Sequence, residues 1–405
     1  MDREVFCTEE LMGTHKTLAD FDLRGKRVLV REDLNVPLKD GAVADYTRID
    51  GALPTLHYLH ENGAKTIILS HLGRPDGRPN PRYSLKPVAA ALEKRLGLPV
   101  AFADDCIGES AAHAVAQLRD GDILLLENVR FNAGEERNDP EFARALAALG
   151  DIYVNDAFGT AHRAHASTEG IAHLLPSAPG FLMQREIDAL GGLITSPAKP
   201  FICVIGGAKV KDKVEVLRHL MDRVDAFCIG GGMANTFLAA GGVNVGTSLR
   251  DDDLQPAREI IQLAAECAVT LHLPTDAVIA STFTDDSHAR VVEIADVGNE
   301  MILDIGPKTA QSYAQAIEGA KTIVFNGPMG VYEKAAYQNG TKVVGEAIAR
   351  ATARGATSVV GGGDAAAAAH ELGFADAMTH VSTGGGAALE FLEGKTLPGL
   401  AALAQ

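Results

Sequence analysis

The chain has 405 residues, of which 46% are hydrophobic and 22% charged, and its formal net charge is −16. This length exceeds what one hydrophobic core usually organises, so we expect two domains. The acidic balance argues against general nucleic-acid binding, which needs a basic face, but it still allows a local basic cleft for an anionic substrate.

Short apolar runs alternate with longer stretches rich in Ala, Leu, Glu and Lys along the whole chain. The runs that predict strands are 27–30 (RVLV), 66–69 (TIIL), 122–126 (DILLL), 151–154 (DIYV), 201–205 (FICVI), 226–229 (AFCI), 322–325 (TIVF) and 357–360 (TSVV). Helical patterns lie between them, for example at 87–96 and 255–268. This alternation predicts an α/β fold with parallel sheets covered on both faces, in which ligands bind beyond the carboxyl ends of the strands.

A domain boundary is predicted within residues 180–199 (GFLMQREIDALGGLITSPAK). This stretch has the pattern of a helix broken by the Gly191-Gly192 pair and ended by Thr-Ser-Pro. Strand and helix patterns restart at Phe201. The tail from Gly394 is too short to form a domain, so we expect it to pack back on the first half.

Cationic or hydrogen-bonding side chains follow the strand-like runs of the first half. Asp33 and Asn35 follow the first run and would point the same way on an extended chain, although a plain turn before Pro37 is the simpler interpretation of this pair alone. The segments farther along carry Arg48, His71, Arg74, Arg130, His162, Arg163 and His165. A single arginine is usually a solvated surface residue, but several at strand ends predict a small, highly anionic ligand, because guanidinium forks bind carboxylate and phosphate oxygens.

The histidines of this half are weaker signals. His71 lies where the parallel-sheet rule places ligand contacts, so it could donate to a phosphate or hydroxyl as a neutral or a charged ring. The spacing of His162 and His165 suits one helix face, but no partner with convincing zinc-site spacing accompanies them. Hydrogen-bonded or surface histidines are the simpler interpretation of that pair.

Glycine-rich turns follow the runs of the second half instead. They are 206–213 (GGAKVKDK), 230–232 (GGG), 326–330 (NGPMG), 361–364 (GGGD) and 382–386 (STGGG). Glycine lets backbone N–H groups approach phosphate oxygens, and a following helix adds its dipole. One such turn is often only a tight connection, but five of them favour a nucleotide site. A P-loop, a protein-kinase motif set and a Rossmann dinucleotide fingerprint are all missing.

The cysteines and the first residues indicate a cytoplasmic protein. The five cysteines (Cys7, Cys106, Cys203, Cys228 and Cys267) form no C-x-x-C pair, and an odd count fits no closed disulfide framework. The start, MDREVFCTEELMGTHK, lacks the layout of a secretory signal. No run of about 18 apolar residues occurs, so we expect no membrane span.

Long segments of the chain together resemble the phosphoglycerate kinase family. They are REDLNVP, SHLGRPDG, LLLENVRF, VNDAFGTAHRAHAS, GGAKVKDK, GGGMANTFL, FNGPMGVYE, GGGD and VSTGGGAALEFLEGK. The resemblance implies two Rossmann-like, doubly wound domains with parallel sheets of six-stranded type, joined by a hinge helix. It implies a triose domain at 1–183, an interdomain helix and linker at 184–199, a nucleotide domain at 200–393, and a tail at 394–405 that returns to the first domain.

The resemblance also implies a reaction and its site residues. The reaction is reversible phosphoryl transfer from 1,3-bisphosphoglycerate to MgADP, giving 3-phosphoglycerate and MgATP, by a monomeric cytoplasmic enzyme. The implied triose-binding residues are Asp33, Asn35, Arg48, His71, Arg74, Arg130 and Arg163. The implied nucleotide-binding residues are Gly207, Lys209, Lys213, Gly306, Asn326, Glu333, Gly362, Gly363, Asp364 and Ala365, with Asp364 nearest Mg²⁺ and Glu333 accepting from the ribose hydroxyls.

Two positions depart from the family pattern. Ala365 stands where the family normally has threonine, so a hydroxyl near the phosphate and metal is missing and nucleotide or Mg²⁺ affinity is in question. Leu34 stands where phenylalanine is common, which we interpret as a packing change.

The chemistry of the reactants explains why the motifs include no general base. The carboxylate of 3-phosphoglycerate is ionised at pH 7, so it needs no deprotonation to act as nucleophile. A loose phosphoryl transition state needs alignment and charge stabilisation instead. We expect Arg48 and Lys209 to contact the migrating group, Gly385 to lie among backbone donors at 384–386, and domain closure to precede an in-line transfer.

Two alternatives stay open at this point. Another acyl-phosphate kinase, of the acetate type, would use a smaller substrate that needs fewer arginines. A two-lobed binding protein without catalysis would explain the arginines, but it would not explain Lys209, Asp364 and the five glycine turns.

Overall fold

The computed structural model describes residues 15–284 and 288–404, and the chain forms two compact units. Unit 1 holds the residues up to Asp188 together with those from Thr396 onward. Unit 2 holds Ala189–Lys395. No helix in the described ranges combines the length and apolar character that crossing a membrane requires.

Unit 1 is built on a parallel sheet of six strands. The strands of unit 1 are β1 (Arg27–Arg31), β2 (Leu38–Lys39), β3 (Ala42–Val43), β4 (Lys65–Leu69), β5 (Val100–Ala103), β6 (Ile123–Leu126), β7 (Ile152–Asn155) and β8 (Ser177–Pro179). Strands β2 and β3 form a separate small hairpin. The sheet order is β5-β6-β4-β1-β7-β8. Its helices are α1 (Thr47–Glu61), α2 (Lys86–Leu96), α3 (Gly108–Ala116) and α4 (Pro140–Ala147).

Helices cover both faces of this sheet because successive strand residues point to opposite sides. Val28 and Val30 pack in one apolar cluster with Leu56 of α1. Leu29, which lies between them, packs in the opposite cluster with Phe142 of α4. The apolar runs of the sequence therefore become strands buried on both faces, as predicted.

A segment from far along the chain completes unit 1. Within this segment, helix α13 (Pro398–Ala401) contains Gly399, whose N–H donates to the Ala161 carbonyl at 2.8 Å. The side chain of Asn155 donates through Nδ2 to the Gly399 carbonyl at 3.2 Å. Leu403 is 1% exposed and belongs to the same apolar cluster as Leu29.

Unit 2 has its own parallel sheet of six strands and a separate antiparallel sheet of three. Its strands are β9 (Phe201–Ile205), β10 (Ala226–Ile229), β11 (Thr270–His272), β12 (Asp276–Ala280), β13 (Arg290–Glu293), β14 (Met301–Ile305), β15 (Thr322–Asn326), β16 (Thr357–Val360) and β17 (His380–Val381). The parallel order is β11-β10-β9-β15-β16-β17 and the antiparallel order is β13-β12-β14. The two parallel α/β sheets confirm the predicted fold class, while the antiparallel sheet was not predicted.

The helices of unit 2 follow the strand-end loops or pack on the sheet. They are α6 (Val214–Leu220), α7 (Gly231–Ala240), α8 (Gln255–Glu266), α9 (Pro307–Glu318), α10 (Asn339–Ala353), α11 (Gly363–Glu371) and α12 (Gly386–Leu392). Residues of α9 and α10 pack with Ile323 and Phe325 of β15 in one apolar cluster. Three of these helices, α7, α11 and α12, begin directly at glycine-rich turns.

Helix α5 (Phe181–Thr195) contains the division between the two units. Its start is capped by Asp156, whose Oδ1 accepts from the Met183 N–H at 3.0 Å. The predicted break at Gly191-Gly192 is wrong, since the helix continues through the pair. Each glycine costs about 1 kcal/mol relative to alanine in a helix interior, and burial of Leu190, Leu193 and Ile194 outweighs this cost.

Candidate active site

The carboxyl ends of the unit 1 strands bring the predicted triose residues to one edge of the sheet. Strands β6, β4, β1 and β7 are neighbours and run parallel, so the segments that follow them leave the sheet on the same side. His71 follows β4, Arg130 follows β6 and Arg163 follows β7. Local chain direction, rather than any long-range sequence pattern, places these three side chains on one side.

His71 lies at the centre of this group and is only 4% exposed. Burial holds the pKa of His71 well below its ordinary value, and the positive charges of Arg31, Arg130, Arg48 and Arg163 lower it further. Three of the predicted arginines are therefore close enough to act on the predicted histidine. A ring in this setting is neutral at physiological pH.

Asp33, Asn35 and Arg48 are joined by direct contacts. Arg48, the second residue of α1, forms an ion pair through Nη1 with Oδ2 of Asp33. Asp33 Oδ1 accepts from the Asn35 N–H at 3.3 Å. Asn35 Oδ1 in turn accepts from the Gly73 N–H at 2.9 Å. These contacts connect the loop after β1 to both α1 and the loop after β4.

Arg130 is a buried cation with unused bonding capacity. Its side chain is 3% exposed, its Nη1 donates to the Gly73 carbonyl at 3.0 Å, and its Nε lies 3.2 Å from Oε1 of Glu136. Its Nη2 is buried and has no hydrogen-bond partner among the described residues. Burial lowers the pKa of Arg130 from its ordinary value. A buried guanidinium nitrogen in this state suits a ligand oxygen.

The other predicted residues of unit 1 lie at its margin. Arg74 is exposed in the loop after β4. Arg163 is half-buried and donates through Nε to Nε2 of His162 at 3.1 Å. His165 lies 3.8 Å from Oε1 of Glu135, and burial lowers the pKa of His165 to about 4. His162 thus accepts a hydrogen bond from a neighbouring side chain, while the separation between His165 and Glu135 is longer than a hydrogen bond.

Sequence reasoning missed Arg31. This last residue of β1 is 1% exposed, and its Nη2 lies 3.2 Å from Nδ1 of His71. Its Nε donates to Oγ of Ser167 at 2.8 Å, and that hydroxyl donates to Oε1 of Glu135 at 2.6 Å. Burial raises the pKa of Glu135, while the charge of Arg31 opposes the rise. A strand-end arginine is normally solvated, so the sequence carried no signal for this buried chain of contacts.

The glycine-rich turns of unit 2 fall into two physical classes. In the first, a side chain would collide with a neighbouring turn. A Cβ on Gly206 would lie 1.9 Å from the carbonyl oxygen of Pro328, and one on Gly230 would lie 2.5 Å from Sδ of Met329. A Cβ on Gly327 would lie 2.3 Å from the carbonyl oxygen of Gly206. These glycines allow the loops after β9, β10 and β15 to pack directly on one another.

In the second class the space beside the glycine is open. No atom lies within 4 Å of a Cβ position at Gly363 or Gly385. Gly362 and Gly385 have φ values of +97° and +52°, which residues with side chains rarely adopt, and they directly precede α11 and α12. Open space where backbone N–H groups begin a helix is suited to phosphate oxygens.

A cavity of about 530 Å³ lies within unit 2 and is lined in part by residues of the loops after β9, β10 and β15. Its wall is mostly apolar and includes Leu249, Phe283 and Met329. Of the predicted nucleotide residues, Gly207, Glu333 and Asp364 line it. The volume and the apolar wall with a few polar groups are typical of a small-molecule site.

Lys213 and Asn326 form one connected pair beside the glycine turns. Lys213 Nζ donates to both the backbone carbonyl and Oδ1 of Asn326, each at 2.5 Å. Asn326 Nδ2 donates to the Gly361 carbonyl at 2.7 Å, which links the turns after β15 and β16. Burial lowers the pKa of Lys213 to about 8, and the nearby Asp364 carboxylate opposes that shift.

Lys209 is positioned by a residue that sequence reasoning missed. It lines a second cavity, of about 310 Å³, with Arg250 and Asp251 among its neighbours. Asp251 is 8% exposed, and its Oδ2 accepts from the Val210 N–H at 2.7 Å. Asp251 is the first of three successive aspartates, and its carboxylate holds the turn that follows Lys209.

Gly306 and Ala365 are both closely packed inside unit 2. A Cβ on Gly306 would lie 2.2 Å from Cγ of Asp276, whose Oδ1 accepts from the Thr309 N–H at 2.8 Å near the start of α9. Gly306 does not line the 530 Å³ cavity, although Ile305 does. Ala365 is 1% exposed and belongs to the apolar cluster that contains Phe325. The missing threonine hydroxyl therefore falls at a position with an apolar environment.

No cluster of three His, Cys, Asp or Glu side chains able to hold a metal occurs in residues 15–284 and 288–404. Mg²⁺ that arrives with a nucleotide needs only one or two protein carboxylates, because phosphates and waters supply its other ligands. Asp364 is exposed at the start of α11 and is compatible with that kind of binding.

Known proteins resemble this chain over nearly its whole length. A family model described as phosphoglycerate kinase matches residues 18–395. The phosphoglycerate kinase of Moorella thermoacetica is 54% identical over 391 residues, covering 96% of this chain and 99% of that protein. The phosphoglycerate kinase of Chloroflexus aurantiacus is 52% identical over 393 residues, covering 96% and 98%.

Solved structures agree in fold. The phosphoglycerate kinase of Coxiella burnetii has a TM-score of 0.89 at 43% identity, covering 96% of this chain and 98% of that one. The phosphoglycerate kinase of Pyrococcus horikoshii has a TM-score of 0.81 at 34% identity, with the same coverage. The chain belongs to the phosphoglycerate kinase family.

Proposed function

We propose that this chain transfers a phosphoryl group reversibly between 1,3-bisphosphoglycerate and MgADP, giving 3-phosphoglycerate and MgATP. One observation carries the proposal: His71 stands among four arginines at the sheet edge where ligands bind. Such a group suits a small ligand with several negative charges, because guanidinium forks pair with carboxylate and phosphate oxygens. Family membership supports the same reaction.

The triose binds to unit 1 in this proposal. Arg130 offers the buried Nη2, Arg163 and Arg74 add charge, and His71 adds a hydrogen bond. Asp33 and Asn35 are acceptors and suit the hydroxyl of the triose. Arg48 binds the reacting end, and its ion pair with Asp33 orients it.

The nucleotide binds to unit 2. The base enters the 530 Å³ cavity, and the ribose hydroxyls donate to Glu333. The phosphates lie along the open turns at Gly362, Gly363 and Gly207, with Lys213 and Asn326 beside them. Asp364 contacts the Mg²⁺ that accompanies the nucleotide, and Gly306 and Ala365 lie next in sequence to the lining residues Ile305 and Asp364.

The chemical step needs charge stabilisation and no general base. The 3-phosphoglycerate carboxylate is already ionised at neutral pH. Arg48 and Lys209 stabilise the negative charge on the migrating group, and backbone N–H groups near Gly385 add donors. An in-line transfer of this kind depends on alignment of the two oxygens more than on proton transfer.

The substrates bind to different units, so transfer requires the units to approach each other. Closure would also keep water from the reactive acyl phosphate. We expect small-angle scattering to show compaction only when 3-phosphoglycerate and a nucleotide are both present. Full compaction with one ligand, or none with both, would contradict this part of the proposal.

We further propose a monomeric enzyme in the cytoplasm. The scattered cysteines, whose odd number fits no closed disulfide framework, support a reducing compartment. Light scattering coupled to gel filtration tests the monomer, because a dimer would double the mass of 42.5 kDa.

A coupled assay with MgATP and 3-phosphoglycerate tests the function itself. We expect rapid ADP release with 3-phosphoglycerate and none with acetate at the same concentration. Turnover of acetate alone would indicate an acetate-type kinase. Binding of 3-phosphoglycerate without any phosphorylation would indicate a binding protein.

A further inference from the structure

We propose that Arg31 is a positioning residue that fixes the tautomer of His71, so that the ring is neutral and carries its proton on Nε2. The observation is the 3.2 Å separation between Nη2 of Arg31 and Nδ1 of His71. A guanidinium nitrogen has hydrogens to donate and no lone pair to accept with, and arginine does not lose its proton in proteins. Nδ1 must therefore be the acceptor, and the single ring proton lies on Nε2.

Contacts behind Arg31 hold its guanidinium in place. Nε of Arg31 donates to Oγ of Ser167. Ser167 is itself fixed, because its hydroxyl donates to Oε1 of Glu135 and its N–H donates to Oε2 of Glu135 at 2.9 Å. A further bond runs from Nη1 of Arg31 to the Glu32 carbonyl. All these partners are buried, so the orientation of Arg31 does not depend on solvent.

The charges that most affect the ring favour the same state. Besides Arg31, these are the guanidinium groups of Arg130, Arg48 and Arg163. Arg48 is paired with Asp33 and Arg130 with Glu136, but the net effect of the four arginines on the ring is to disfavour its protonation. The arrangement thus makes His71 a neutral donor of fixed direction.

The effect of this tautomer on triose binding rests on the proposed function. If the triose binds here, its oxygen accepts from Nε2–H of a neutral ring, so triose binding should not depend on His71 titration between about pH 6 and pH 8. With Arg31 replaced by methionine, Nδ1 loses its donor and the ring loses a neighbouring cation. The tautomer of His71 is then no longer fixed from this side, so a fraction of the rings carries the proton on Nδ1 and cannot donate from Nε2, and the KM for 3-phosphoglycerate rises.

Nitrogen NMR of histidine-labelled full-length protein tests the assignment without any variant. The His71 signals are identified by their loss in His71→Gln. We expect a non-protonated Nδ1 and a protonated Nε2 at every pH from about 6 to 8. A proton on Nδ1, or on both nitrogens at neutral pH, would overturn the proposal whether or not the variants fold.

Three variants distinguish a role of Arg31 in fixing the His71 tautomer from a role in stability alone. Arg31→Met should yield mixed tautomers and a raised KM for 3-phosphoglycerate, and Arg31→Lys, which keeps a charged donor, should restore the Nε2–H form in part. Arg27→Met is the matched control on the same strand, because Arg27 pairs with Asp151 where both side chains are more than a third exposed. An Arg31→Met protein whose His71 signals match wild type would refute the role of Arg31. Absence of kinase activity with the expected His71 signals would instead refute the proposed function alone.

Discussion

The carboxylate of Asp251 accepts a hydrogen bond from the backbone N–H of Val210 at 2.7 Å, and its own N–H donates to Oγ1 of Thr236 at 3.0 Å. Asp251 thereby connects α7 to the short turn that separates Lys209 from Lys213. Both lysines belong to the proposed phosphate site. The position of their shared turn depends on one buried carboxylate.

Replacing Asp251 by alanine should therefore disturb both lysines without touching either. The Val210 N–H would lose its partner, at a cost of about 1–3 kcal/mol, and the turn would shift to find another. We expect kcat/KM for MgATP to fall about tenfold or more, since each 1.4 kcal/mol is tenfold. Asp252→Ala is the control, because Asp252 is exposed in the same acidic run. Equal kinetics for the two variants would exclude the positioning role.

Gly206 and Gly363 should respond differently to alanine. A Cβ on Gly206 would lie 1.9 Å from a backbone oxygen, which cannot move aside by changing a side-chain rotamer. We therefore expect a loss of about 1–3 kcal/mol in the free energy of unfolding. A Cβ on Gly363 meets open space, so its unfolding free energy should change by less than about 0.5 kcal/mol. Urea unfolding followed by circular dichroism measures both.

The same pair of variants also tests the phosphate site. Gly363→Ala should raise the KM for MgATP, because the added methyl group fills space proposed for phosphate. An unchanged KM for Gly363→Ala would place the phosphates elsewhere.

Arg48→Ala should lower turnover by about 100-fold or more, the usual effect of removing one stabiliser of transition-state charge. The loss should appear in kcat, since the interaction strengthens as the phosphoryl group moves. Steady-state kinetics at saturating 3-phosphoglycerate and MgATP measure it. Arg27→Ala serves as the control, because it removes a half-exposed ion pair on β1. Turnover near the wild-type value in Arg48→Ala would exclude this residue from the chemical step.

The lowered pKa of Lys213 predicts how kcat/KM for MgATP depends on pH. Burial lowers the pKa of Lys213 to about 8 in the free protein, so its charge is present below about pH 8 and is lost as pH rises through that value. Because kcat/KM reports the free enzyme, kcat/KM for MgATP should fall above about pH 8.

Lys213→Arg should flatten the alkaline limb of that profile, since arginine keeps its charge. The profile should be recorded for both proteins with the same coupling system, whose own pH dependence must be checked. An identical alkaline fall in wild type and Lys213→Arg would assign the titration to another group.

The parallel sheets were predictable because their strands are buried on both faces. Residues 28–30 and 201–205 are continuous apolar runs, which are typical of strands buried on both faces of a parallel sheet. The antiparallel sheet was missed because its edge strand β13 is mostly exposed and contains Arg290 and Glu293. The helix through Gly191 and Gly192 was missed because local propensity favoured a break while buried neighbours decided otherwise.

Strand-end position predicts which side chains of unit 1 lie close together, but it does not predict what holds them. His71 and Arg130, which follow neighbouring strands, do lie close together. The turn that begins at Gly206 was grouped with the other glycine-rich turns, yet the close approach of Gly206 to Pro328 shows a packing requirement that no sequence pattern distinguishes from the open glycine at 363. Arg31 and Asp251 were missed because burial of a charged side chain depends on partners far apart in sequence, such as Ser167 for Arg31.

Unit 1 takes its interior from two stretches of chain that are separated by all of unit 2. Leu397, Leu400 and Leu403 are each at most 2% exposed, and they are the last part of unit 1 to be synthesised. Domains generally fold as units in the order of synthesis, but unit 1 lacks these three leucines until translation of the whole chain has ended. The part of the protein that is made first therefore cannot be completed during synthesis, and until then its uncovered apolar surface is open to chaperones and to aggregation.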